Sequence, residues 1–242
     1  MFRFHILRSL RDFRGHLILI LLPVAMIVFM SYVYGRLADG GVATELAQTA
    51  KMLTIGLALA FQIYGSANSF EYLGQDFLTP MRDRLLAIPV NPRKIVLSVM
   101  FSGIVVGLMQ TLAVLISSNL ILGAEFSNPG LIIAVMLISV VFNQLLGVVI
   151  LFLTGKVNIA IAITSLYATI APALAGVYYP LPDNMLFNFF RDYATPMSLA
   201  QTAIKGVINQ DITKLFIGVT PLIILSVILF VLLKPLSRKV IS

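Results

Sequence analysis

Apolar residues fill this chain in long uninterrupted runs, separated by short clusters of charge. Residues 17–35, 52–70, 95–124, 126–155, 157–182 and 215–233 contain no Asp, Glu, Lys or Arg. A helix of about 20 apolar residues crosses the ~30 Å hydrocarbon core of a bilayer. The runs therefore predict six transmembrane helices, at about 17–35, 52–70, 95–122, 130–153, 158–178 and 213–234. The third run is long for one span and predicts tilt or an extension beyond the membrane. The expected fold class is an all-α membrane protein, with residues 1–242 forming one transmembrane domain.

The segments between the runs carry their own patterns. In residues 1–16, Phe2, Ile6, Leu10 and Phe13 share one helical face while Arg3, Arg8, Arg11 and Arg14 point elsewhere. That is the pattern of an amphipathic helix lying along a membrane surface. The run that follows lacks a small-residue cleavage site and reads as a retained span. Residues 35–52 are rich in turn formers (Gly35, Gly40, Gly41, with Asp39 and Glu45) and hold no motif. "GAEFSNP" and "TGKVN" are tight connections that make their flanking spans antiparallel neighbours.

Residues 178–211 are too polar to span and too apolar to be solvated. Leu186, Phe189, Phe190 and Tyr193 repeat at helical spacing, as do Leu199, Ala203, Ile204, Val207 and Ile208, with Pro196 between the sets. Two short helices dipping into the outer leaflet are expected, a re-entrant hairpin over 179–211 marked by Pro182, Asn184, Phe189, Phe190 and Pro196. Irregular backbone at that depth needs shelter from protein or a water-filled cavity, so the hairpin should cap the external end of a helical bundle.

Composition agrees with the pattern, at 59% hydrophobic and 11% charged residues. The net charge of +7 would suggest nucleic acid if it were clustered on a soluble face, but its placement argues otherwise. With the N-terminus inside, 12 of the 17 Lys and Arg residues fall on the cytoplasmic side. The positive-inside rule then puts both termini in the cytoplasm of a multi-pass protein of the cell membrane. Cysteine is absent, which removes disulfides and thiol chemistry.

One charged stretch stands out, "DFLTPMRDRLLAIPVNPRKIVLSVM" at residues 76–100. A short helix begins near Thr79, with Pro80 in its first turn and Pro89 ending it, and Pro92 opens the next span. Held between two transmembrane helices, such a helix is a lever on which a cytoplasmic partner can push. The plain alternative is a basic loop that only sets topology.

The stretch resembles the segment between spans two and three of ABC-2 type transporter permeases. The matching residues are Arg82, Arg84, Leu85, Leu86, Ala87, Ile88, Pro89 and Val90, then Pro92, Arg93 and Lys94. "PLPDNM" followed by "ATPMSLA" is similar to the family's re-entrant region before the last span. The chain departs from many relatives in lacking a Glu-rich run ahead of the loop, where only Glu71 and Asp76 supply acids.

The resemblance implies a bacterial ABC exporter's membrane subunit, working as a homodimer or homologous heterodimer with a separate nucleotide-binding ATPase subunit. Residues 78–90 would be the coupling helix, with Leu78, Pro80, Arg82, Asp83, Arg84, Leu85, Leu86, Ile88 and Pro89 as the ATPase-coupling set. ATP and Mg would bind the partner, and no cofactor would bind this chain. Membrane lipid and a small hydrophobic or amphipathic substrate (drug, lipid or peptide) are the other expected partners.

The rest of the sequence narrows the chemistry. There is no G-x-x-x-x-G-K-[ST] phosphate loop; Gly155 and Lys156 lack the earlier glycine and the hydroxyl residue. The two histidines, His5 and His16, flank the first run and read as interfacial residues, with no metal site or catalytic dyad. No span holds an ionisable carboxylate or base of the kind proton-coupled carriers use. Neutral polar residues do occur in the spans, and Gln62, Ser66, Ser69, Gln110, Asn143 and Gln144 are candidates for lining a substrate path. Interhelical hydrogen bonding is their plainer use. Gly103 and Gly107 form a G-x-x-x-G that permits close helix approach. An ATP-independent channel or carrier, and a sensor or immunity subunit that binds without turnover, remain the alternative classes.

Overall fold

The computed structural model describes residues 2–37, 43–87 and 91–241. Ile88 and Pro89 of the expected coupling helix, and Asp39, Gly40 and Gly41 of the first connection, lie outside the described residues. Among the described residues the fold is all-α, with no strand. The helices are α1 (Phe2–Leu10), α2 (Phe13–Leu37), α3 (Ala43–Phe77), α4 (Met81–Leu86), α5 (Pro92–Leu122), α6 (Pro129–Thr154), α7 (Val157–Leu174), α8 (Met185–Asp192), α9 (Pro196–Ile208) and α10 (Ile212–Ile241).

Five of the described helices are long and apolar enough to cross a membrane: α2, α5, α6, α7 and α10. The segment 52–70, expected as a sixth span, lies inside α3, where Gln62, Ser66 and Ser69 dilute the apolar character. The reason for those polar residues is position. α3 is the central helix, packed against α2, α5, α6, α7 and α9.

Helices do not adhere in lipid through the hydrophobic effect, so close packing of small residues must hold them. α7 presents Ala160, Thr164, Ala168 and Ala171, a buried stripe at spacings of four, four and three. Gly74 near one end of α3 receives Val157, and Gly56 nearer the other receives Val177, so α7 runs antiparallel along it. Gly147 of α6 is filled by the Phe70 ring in the same way. The result is two contiguous apolar clusters threaded by α3. One, around Phe70, Phe77, Val99 and Phe152, lies at the α4 end; the other, around Ile55, Leu59, Met136 and Ile204, lies at the α9 end.

Local signals set most of the helix ends. Gly123 and Gly155 close α5 and α6 in the left-handed conformation (φ 63° at each), where a side chain would be strained, and each N–H donates to the carbonyl four residues back. Pro92, Pro129 and Pro196 open their helices at the first turn, where the missing N–H costs nothing. The expected interfacial helix over 1–16 is interrupted: α1 stops at Leu10 and Phe13 already belongs to α2. Asp12 makes the break, because its carboxylate accepts from the Gly15 N–H (3.3 Å) and caps the new helix.

Candidate functional site: an elbow, its clamp and a polar seam

α3 and α5 are joined by an elbow built around Thr79. Its hydroxyl donates to the Gln75 carbonyl (2.6 Å) and accepts from the Met81 N–H (3.2 Å), while its carbonyl accepts from the Arg82 N–H (3.0 Å). One residue thus ends α3 and starts α4. Pro80 stands at the cap position with helical φ and ψ (−56° and −10°), one place earlier than its expected first-turn position. Ala87 caps α4 after six helical residues, and residues 88–90 of the 78–90 helix expected from sequence lie outside the described residues. Asn91 then caps α5, its side chain accepting from the Arg93 N–H (3.0 Å).

The elbow has two faces. Leu78 and Leu85 are half-buried against the cluster around Phe77 and anchor α4 to the bundle. Met81, Asp83 and Arg84 are exposed, as is Pro80, and Arg82 is half-buried. Of the expected coupling residues, these exposed ones form the outward surface, whereas Leu85 faces home. Nothing is described of the Leu86 side chain.

A clamp fixes the elbow from the side. Arg8 of α1 donates to both carboxylate oxygens of Asp76 (2.8 and 3.1 Å), in the last turn of α3. The same guanidinium donates to Gln75 Oε1 (2.9 Å) and lies over the Tyr72 ring, 4.7 Å from its centroid. One charged nitrogen shared between both carboxylate oxygens, with the other on Gln75 and a cation–π contact, is a strong and directional attachment. Sequence reading missed this pair, because 68 residues separate the partners and no local motif links them.

His5 lies beside the clamp and is buried, with Nδ1 unpartnered. Burial pushes its pKa below the ordinary 6.5; the Asp76 carboxylate opposes this, while Arg8 and the chain's amino terminus reinforce it. The folded state therefore favours neutral His5. Stability from α1 docking is fully present above pH 6.5 and is lost as pH falls below it, since the unfolded histidine takes up a proton first. A thiol placed at buried Ser9 should label faster with maleimide, relative to the same thiol in a His5→Leu background, as pH drops from about 7 to about 5.5. Equal pH profiles in the two backgrounds would refute the assignment.

The other histidine does more than mark an interface. His16 Nε2 lies 2.6 Å from the Ser9 carbonyl, which can only accept, so this nitrogen carries the hydrogen. Nδ1 is then the acceptor for the Gln110 amide (2.8 Å). His16 thereby ties the α1–α2 corner to α5.

A seam of neutral polar residues runs along α3. Gln62 donates to Thr111 Oγ1 (3.0 Å) and the Met136 carbonyl (3.4 Å), linking α3, α5 and α6. Thr54 and Ser118 share a hydrogen bond between α3 and α5. Ser69 fits into the notch left by Gly103, and Gln144 approaches the same glycine. Gly107 takes Val140, so the G-x-x-x-G serves packing of α5 on α3 and α6 within this chain. Ser66 donates to its own helix (Ile63 carbonyl, 2.7 Å), and Asn143 contacts Ser139 at 3.5 Å. Gln62, Ser66, Ser69, Asn143 and Gln144 are all buried among helices of the chain, and Gln110 is half-buried on α5.

At the far end, α8 and α9 form one unit. Asn184 caps α8 by accepting from the Phe187 N–H (2.9 Å), and Thr195 caps α9 by accepting from Ser198 (3.0 Å). Ser198 and Thr202 of α9 donate to the Phe190 and Asp192 carbonyls (3.1 and 2.8 Å), fastening the two helices. α9 is almost wholly buried, whereas α8 leaves Met185, Leu186 and Phe189 exposed and holds Phe190 half-buried. Pro182 lies on the exposed link into α8, and Pro196 opens α9.

Long apolar helices, a charged elbow between α3 and α5 and two short helices before the last define a polytopic helical membrane protein. Residues 1–209 match the family model for the ABC-2 type transporter, and the chain belongs to that family. No curated protein and no solved structure matches it. The matched region closes with α9, and α10 completes the fold by packing on α9 and α6.

Proposed function

We propose that this chain is the membrane subunit of an ABC exporter for a hydrophobic or amphipathic small substrate, driven by a separate ATPase subunit that docks on α4. Two permease copies, identical or homologous, would enclose the path. ATP and Mg would act on the partner, and their closure would push α4 and, through it, α3 and α5. Both termini and the elbow are read as cytoplasmic, as the basic residues suggest, and α3 is read as the sixth span.

The observation that carries this reading is the elbow itself. α4 is pinned inward by Leu78 and Leu85, fixed sideways by Arg8 and Asp76, and offers Met81, Asp83 and Arg84 outward. A rigid short helix with a charged outer face suits transmission of force better than a loose topology loop. The outward preference for transport and the substrate class rest on the family and on the charge-free runs.

The chain has no cysteine, so an introduced thiol is unique. Met81→Cys and Arg84→Cys are expected to capture a nucleotide-binding subunit when native membranes are crosslinked through thiols. Leu85→Cys, half-buried, should capture several-fold less. If none of the three positions recovers an ATPase after mild extraction, docking at α4 is wrong and a channel or carrier becomes the better reading.

A further inference from the structure

The α4 end of the molecule also holds a crevice that the docking surface does not use. It lies between the start of α5 and the end of α10 and has a volume of about 400 Å³. Two exposed cations stand in its wall, Arg93 and Lys234, and neither forms a salt bridge with a carboxylate among the described residues. The remaining wall is apolar, from Val96 and Leu97 on one side to Phe230 and Val231 on the other. The polar exception is Ser237, whose hydroxyl is already committed to the Lys234 carbonyl (3.0 Å).

A second groove of about 380 Å³ continues along α10, between it and α6. Phe230 lines both, and Leu137, Val141, Ile223 and Val227 extend the apolar track away from the cations. Ser226, in that track, donates to the Leu222 carbonyl and presents no free donor (2.8 Å). From Lys234 back to Ile223 the helix rises about 16 Å. That is the scale of a phospholipid acyl chain, with the cations at one end and hydrocarbon contacts over the rest.

We propose that these two adjacent grooves together seat one anionic glycerophospholipid, its phosphate between Arg93 and Lys234 and one acyl chain along α10 past Phe230. Basic pockets between transmembrane helices are suited to such headgroups, and each cation near an anionic surface contributes measurably. A soluble anion would satisfy the cations and leave the groove empty, while a zwitterionic lipid would fill the groove and bring no net charge to the cations. The orientation proposed above would place the site in the cytoplasmic leaflet; the site itself does not depend on that orientation or on ATPase docking.

The test uses the purified full chain in mild detergent, with phosphatidylglycerol and phosphatidylcholine of the same acyl length, read by native mass spectrometry. The wild type should retain phosphatidylglycerol preferentially. Arg93→Gln with Lys234→Gln should weaken that retention about tenfold or more. Val231→Trp, which fills the groove and keeps both cations, should weaken it comparably, and glycerophosphate alone should not compete. Lys156→Gln, a neutralised cation in the α6–α7 connection, should change nothing.

Unchanged retention in either crevice variant would overturn the proposal. So would an equal loss in Lys156→Gln, or competition by glycerophosphate at equal concentration. A change of oligomeric state in Val231→Trp without loss of lipid would identify the groove as a contact between copies and overturn it as well. Thiol capture at α4 is scored separately, so failure of one reading leaves the other standing.

Discussion

Replacing Gly218 by leucine is expected to abolish the yield of folded, monodisperse protein, and even alanine there should lower the melting temperature by several degrees. Gly218 is where α10 crosses α9. A Cβ added to it would collide with the Leu199 carbonyl oxygen and lie 2.7 Å from the Ala203 nitrogen and 2.8 Å from the Ala203 Cβ. These are backbone atoms and the first atom of a side chain, so no rotamer change relieves them.

Gly206 repeats the arrangement from the other helix, its added Cβ falling 2.6 Å from the Leu215 nitrogen and 2.9 Å from the Asp211 oxygen. Overpacking costs roughly 1–3 kcal/mol where side chains can give way, and more where they cannot. In lipid the cost is not recovered elsewhere, because contact distance itself supplies the adhesion. Gly130 is the control, with no atom within 4 Å of an added Cβ. Gly130→Ala should be neutral or slightly stabilising, since alanine is the better helix former. Thermal melts followed by size-exclusion chromatography in detergent decide the matter; equal melts for Gly218→Ala and Gly130→Ala would show that the α9–α10 crossing is slack.

The second large effect is expected at the clamp. Asp76→Ala should release α1 from the elbow and reduce transport about tenfold, with ATPase docking retained. The Asp76 side chain is 9% exposed and that of Arg8 26%, between the limits of a solvated pair and a buried one. Removing the acid leaves a partly desolvated guanidinium, at a cost of about 1–3 kcal/mol. Asp76→Asn should be milder, because the amide still accepts one hydrogen bond.

Stability alone would not separate a coupling element from an ordinary brace, so two readouts are needed. Thiol capture of the ATPase through Arg84→Cys should persist in Asp76→Ala while substrate-stimulated ATP hydrolysis falls. The reciprocal swap, Arg8→Asp with Asp76→Arg, should restore part of that stimulation, and a double-mutant cycle would give the interaction energy. Full stimulation in Asp76→Ala would remove the clamp from the mechanism and leave it a brace.

Much of this molecule was legible from composition at helical length. Charge-free runs at 17–35, 95–124, 126–155, 157–182 and 215–233 correspond to helices that can cross a membrane. Signals read within a few residues also hold: Pro92 and Pro196 open helices where sequence places them, and α8 and α9 fall on the two apolar repeats of the 178–211 segment. The short-helix character of the elbow was readable too, in α4 with its cap at Ala87.

What could not be read were pairings across the chain. Gln62, Ser69 and Gln144 looked like candidates for lining a path, and Gly103 with Gly107 like a place of close helix approach. The structure shows which faces they meet: Gln62 donates to Thr111 and the Met136 carbonyl across α5 and α6, Gly103 is the notch beside Ser69 and Gln144, and Gly107 takes Val140. Leu85 looked as outward as Arg84 in sequence, and the six-residue turn of α4 rotates one inward and the other out.

The sequence by itself determined that this is a helical membrane protein, where most of its spans fall, and which loop carries the charge. It could do so because transfer of apolar runs into lipid and the geometry of caps depend on residues close along the chain. Only the tertiary structure decided that Arg8 holds Asp76, that His16 holds Gln110, that α3 is central and that Arg93 faces the same crevice as Lys234. Those contacts join residues 68 to 141 positions apart, and they exist because helix packing, not local pattern, chooses which faces meet.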